Sequence, residues 1–129
     1  FCGPTYYVIA RLHWDTEADV EALLDEYYGA FGAFAPVVRE YFDYWEGVTT
    51  SAATCTSEVV AGARSILDTS RPLMESASRE EVERFRNIDL GLRHVELWRA
   101  AQRPEGGQED RKALVAAAEE LVASAARGR

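Results

Sequence analysis

Few residues in this chain have the types and spacing that chemistry needs. His13-Trp14-Asp15 sets an imidazole beside a carboxylate, the pairing that general acid–base catalysis uses. Neighbouring helical residues point in different directions, however, and Asp15 stands where a cap or turn residue belongs, so the triplet reads as structural. His94 has Glu96 nearby but no second histidine four residues away, which makes it a boundary histidine rather than a metal ligand. Glu40, Asp43 and Glu46 recur every third residue, and paired carboxylates do run glycoside hydrolysis. They fall opposite the apolar stripe of their own helix, where solvated charge belongs. Cys2 and Cys55 lack a metal spacing such as C-x-x-C and read as two unpaired, partly buried thiols, a disulfide being the competing reading. With no G-x-S-x-G, no Gly-rich phosphate loop, no H-E-x-x-H and no basic patch, the sequence predicts no catalytic residue, no cofactor and no metal ligand.

The elements around these groups are helical. From Tyr6 to Trp45 the apolar residues recur at helical spacing and most of the aromatic side chains are gathered. Gly3-Pro4-Thr5 reads as a turn, with Thr5 capping a first helix to about Leu12. That helix, YYVIARLHW, is apolar nearly all round and is expected to be buried on more than one side. Val20, Leu23, Leu24, Tyr27 and Tyr28 mark one face of a second helix, ended by Gly29 and Gly32. Phe34, Val37, Val38, Tyr41, Phe42 and Trp45 form the stripe of a third, with Pro36 in its first turn. Phe31 and Tyr44 fall off these stripes, which leaves them as conceivable stacking platforms for a sugar.

Residues 47–56 read as an internal linker between 6–45 and the later helices. A fourth helix, capped by Thr56 or Ser57, places Val59, Val60, Ala63, Ile66 and Leu67 inward. Its phase runs on through Pro72 to Ser70, Leu73 and Met74, which predicts a kinked helix or two nearly collinear ones. Ser78 with Glu81 is a capping box opening a fifth, central helix striped by Phe85, Ile88, Leu92 and Val95. Gly91 within it predicts close backbone approach by a neighbour. A loop over 104–107 precedes a last helix with Leu114, Ala117, Ala118, Leu121, Val122 and Ala125 on one face. The expected fold is therefore all-α, a bundle of about six helices in a single domain over residues 1–129.

The chain has 129 residues, 47% hydrophobic and 28% charged, with a net charge of −8. So acidic a surface repels phosphate backbones and anionic lipid, and no apolar run approaches the ~20 residues of a membrane span. Neither a nucleic acid nor a membrane partner is expected. The opening FCGPTYYV, with Met74 the sole methionine, reads as a cut end.

The run YYVIARLHWD, then DVEALLDEYY, a glycine and VVREYFDYWE, resembles a helical domain of unknown function. That domain follows the catalytic-type barrel in an uncharacterised family of bacterial glycoside-hydrolase-like proteins, loosely alpha-glucuronidase-like in layout. NIDLGLRHVELW resembles a later helix of the same region. The resemblance covers roughly residues 3–98. It departs at Thr16, where family members usually carry a proline, and at Phe31-Gly32-Ala33-Phe34-Ala35, where they often read Y-G-P-A-A. The resemblance implies a (β/α)-barrel upstream of Phe1 that carries the catalytic carboxylates, and a carbohydrate reached only through that barrel. This chain would then be a non-catalytic C-terminal domain, packing on the barrel or mediating a homo-oligomer. Tyr6, Tyr7, His13 and Trp14 are its candidate contacts with the barrel or a ligand. A free-standing helical interaction module and an all-α small-molecule-binding domain with an aromatic pocket are the alternatives.

Overall fold

In the computed structural model, residues 3–48, 55–102 and 108–127 are described, and every regular element among them is helical. The expectation of an all-α bundle of six helices is met. Cys2, the 104–107 loop and most of the 47–56 linker lie outside the described residues.

Helix α1 spans Gly3–Leu12. It starts two residues before the expected Thr5 cap, because Pro4 in a first turn brings a helical φ and forgoes an N–H that would have no partner there. Helix α2 spans Val20–Gly29, and the Asp19 carboxylate caps it by accepting from the Glu21 N–H at 3.0 Å. Arg11 of α1 ties the two together, donating to Glu26 at 2.7 Å and to the Tyr7 hydroxyl at 2.8 Å. Only Pro4 of α1 is buried, so the expectation of burial on several sides fails. The helix packs on α2 alone along most of its length, and one neighbour covers one side.

A 3-10 turn, Gly32–Phe34, leads into α3, Ala35–Gly47. Gly32 has φ +53°, and a side chain there would also collide with the Glu81 carboxyl. Val37, Val38, Tyr41, Phe42 and Trp45 are buried as the stripe predicts. Phe31 is buried too, which overturns its assignment to the outside. It sits in the turn, where helical phase no longer decides direction, and its ring packs edge-on to Tyr27 at 5.5 Å. Tyr44 is half-buried and donates to the Val59 carbonyl at 3.0 Å, clasping α3 to the next helix.

That helix, α4, spans Ser57–Asp68 and is capped by Thr56, whose hydroxyl accepts from the Val59 N–H at 3.2 Å. It stops at Asp68 instead of continuing through Pro72. Proline has no N–H to give the Asp68 carbonyl. The Thr69 and Ser70 hydroxyls meanwhile take the Ile66 and Leu67 carbonyls at 2.7 and 2.6 Å, closing the helix end. A short 3-10 turn, Arg71–Leu73, follows, and Met74 is exposed rather than inward.

Helix α5 spans Arg79–Ala101 with both halves of the Ser78–Glu81 capping box formed. Phe85 stacks on Phe34 with ring centroids 4.5 Å apart, which seats α5 against the turn before α3. The Arg84 guanidinium donates to the Ala30 carbonyl at 2.7 Å and holds the same junction. Helix α6, Gln108–Arg127, lies along α5, joined by Arg86–Glu120 at 3.1 Å and by a Ser124–Asn87 hydrogen bond. Ala117 is buried there, but Val122, expected inward, is 70% exposed. A helix against one neighbour keeps only a narrow stripe covered. The core is thus formed by α2 to α5, with α1 and α6 laid on opposite ends of the helix order.

Candidate functional site

Neither histidine is set up for catalysis. His13 Nδ1 donates to the Ile9 carbonyl at 2.8 Å, while the Asp15 carboxylate accepts from the Glu17 N–H at 3.1 Å. Each group is occupied by its own backbone turn, as the structural reading of the triplet expects. His94 is half-buried on α5. Among the described residues, no group of three or more His, Cys, Asp or Glu could hold a metal ion. Glu40, Asp43 and Glu46 lie exposed on α3, opposite its buried stripe. Cys55 is a free, half-buried thiol.

The strongest charge cluster is structural. Arg64 of α4 forks onto Glu96 of α5, with contacts of 2.7 and 3.0 Å, and also bonds Asp89 two turns earlier. The guanidinium is three-quarters covered, and its bonds to both carboxylates outweigh that desolvation and raise its pKa. This triad bolts α4 to α5.

Two features remain. The first is the outer face of α1. Tyr6 is 70% and Ile9 46% exposed, and Trp14 just beyond the helix is 92% exposed. Tyr6, Ile9, Ala10 and His13 follow at i, i+3, i+4 and i+7, so they form one uncovered stripe. Of the four sequence candidates, Tyr6 and His13 share this stripe, and Trp14 is exposed in the turn that follows it. Tyr7 turns the other way, onto the Tyr27 ring at 5.5 Å. Its hydroxyl pKa is raised, first by its hydrogen bond to Glu26, and Glu26 is lowered by Tyr7 and Arg11 together.

The second is a cavity of about 300 Å³ where α1, α2, α3 and α5 meet, lined among others by Tyr27, Tyr41, Phe42, Asn87 and Gly91. Burial raises the pKa of both tyrosines, that of Tyr27 to about 12, so both hydroxyls stay neutral. Sequence reading assigns Tyr27, Tyr41 and Phe42 to the core and expects a tight contact at Gly91. A methyl group on Gly91 would instead meet no heavy atom within 4 Å. The signal was the glycine itself, read with the wrong sign.

No helix among the described residues is long and apolar enough to cross a membrane. Comparison with family models, with curated proteins and with solved structures finds no match to this chain.

Proposed function

We propose that this chain is a non-catalytic helical accessory domain that docks on a partner domain through the outer face of α1. The observation that carries the reading is the exposure of Tyr6 and Ile9 on one face of α1 and of Trp14 just beyond its end, which puts two large aromatic side chains in water. Large aromatic side chains in water at one spot mark interaction surfaces, and Trp and Tyr are the residues on which binding energy concentrates. Asp15 and Glu17, close to Trp14 in the chain and exposed, supply polar groups beside it. On the sequence resemblance, the partner is the (β/α)-barrel of a glycoside hydrolase that acts on polysaccharide. Carbohydrate chemistry then belongs to that barrel, whose strand-end loops form the active face.

The test begins with the reading frame upstream of Phe1, which should encode a strand–helix repeat. Calorimetric titration of that barrel into this chain should give saturable binding. Trp14→Ala should weaken it by about tenfold or more, the usual cost of truncating an anchor residue. An upstream frame without such a repeat, or equal binding by the variant, would sink the proposal. Turnover of aryl glycosides or glucuronides by this chain alone would sink the non-catalytic part.

A further inference from the structure

The space of about 300 Å³ is a pocket open to solvent on the Asn87 side, and its volume reaches the lower end of the ~300–1,000 Å³ usual for small-molecule sites. Its walls combine the Phe42 ring with aliphatic side chains of α5, and its polar groups are the Tyr27 and Tyr41 hydroxyls and the Asn87 amide. None of the described residues that line it carries a charge. Gly91 lies in the same wall. A glycine inside a helix costs about 1 kcal/mol against alanine, and the cost is normally recovered by close packing. Here, among the described residues beyond its own helical turn, no heavy atom lies within 4 Å of where a side chain would begin, so the glycine leaves space open and gains no contact. On the opposite side Gly3 meets the Tyr27 hydroxyl so closely that a side chain there would clash, so the N-terminal end of α1 closes on the rim.

We infer that this cavity is a binding site for a small, neutral, planar aromatic compound bearing a hydrogen-bond acceptor, such as a ring carboxamide. The ring lies against Phe42 with the aliphatic residues of α5 around it, and the acceptor accepts a hydrogen bond from a tyrosine hydroxyl or the Asn87 amide N–H. A carboxylate has no cation to meet there. A hexose has too many hydroxyls for the polar groups on these walls, and each unmatched hydroxyl loses its water bonds without replacement. The inference stands independently of the docking face on α1.

Benzamide is the probe, titrated into the labelled chain and followed by amide and aromatic chemical shifts, with benzoate and glucose as comparators. Benzamide should move the Gly91 amide and the Tyr27 and Tyr41 ring signals saturably, and bind at least about tenfold tighter than either comparator. Gly91→Leu should fill the space and abolish those shifts while the helical circular dichroism stays intact. Ile88→Phe, which fills the same cavity from one turn earlier, should do likewise and serves if the first variant misfolds. Absence of shifts with benzamide, equal binding by benzoate or glucose, or unchanged binding in a folded cavity-filling variant would each overturn the inference.

Discussion

Replacing Gly91 by alanine gives two opposed expectations for one experiment. Helical phase and the rarity of mid-helix glycine imply a close neighbour, and an added methyl would then overpack the interface at a cost of ~1–3 kcal/mol. The structure implies the reverse. Gly91 lies within α5 with helical backbone, and its added Cβ would meet no heavy atom within 4 Å. What remains is the intrinsic preference for alanine, together with the reduced entropy of the unfolded chain. Gly91→Ala should therefore stabilise the protein by roughly 0.5–1 kcal/mol. For a domain of this size that raises the melting temperature by about 2–5 °C. Gly32→Ala is the control, since its φ of +53° and the Glu81 carboxyl both oppose a side chain. It should destabilise by ~1–2 kcal/mol from backbone strain alone, and more if the capping box breaks. Urea melts of both variants beside the parent measure the difference. A loss of stability in Gly91→Ala would mean that a neighbour packs against Gly91, and the cavity beside it would not exist as described.

Arg64→Ala should cost roughly 1–3 kcal/mol by urea melt, because Asp89 and Glu96 would be left facing each other without their cation. The figure lies below that for a fully buried pair, since Asp89 is 41% exposed. Ser78→Ala should cost about 1 kcal/mol through the lost capping box, read in the same assay. Glu26 is held below its ordinary pKa in the folded state, so its contribution is present above the unfolded value and is lost as pH falls through the lowered folded one. Protection of the α1 amides, taken relative to the intrinsic exchange rate at each pH, should accordingly fall in acid, and Glu26→Gln should remove that pH dependence. Tyr27 is raised to about 12, so its neutral form stabilises the fold fully below the unfolded value of 10.0 and loses that effect as pH rises toward 12. Ultraviolet titration should show Tyr27 and the still more deeply buried Tyr41 ionising after the exposed tyrosines or together with alkaline unfolding, and a normal titration of all tyrosines would contradict their burial.

The parts of this fold that were readable in the sequence are those set by local rules. The Ser78–Glu81 box, the Pro36 helix start and the Phe34-to-Trp45 stripe each depend on residues a turn or two apart. The misread parts depend on partners distant in the chain. An all-round apolar α1 says that its surface wants cover, but not that only α2 supplies it. Phe31 sits in a turn, beyond the reach of helical phase, and is directed inward by α2 and α3 together. The phase through Pro72 was real, yet the Thr69 and Ser70 hydroxyls ended α4 before the proline was reached. The cavity draws on α1, α2, α3 and α5 at once, and a mid-helix glycine looks the same in sequence whether it admits a neighbour or leaves room.

The docking face of α1 is tested most directly by making Tyr6→Ser and Trp14→Ser together in this chain. Environment-sensitive dye fluorescence, light scattering and thermal melts are then compared with the parent. Both side chains stand in water, so their loss should leave the melting temperature and helicity unchanged, while dye binding and self-association fall. If instead the parent is a monodisperse monomer that binds no dye and the double variant melts early, these residues belong to the core and the docking account is wrong.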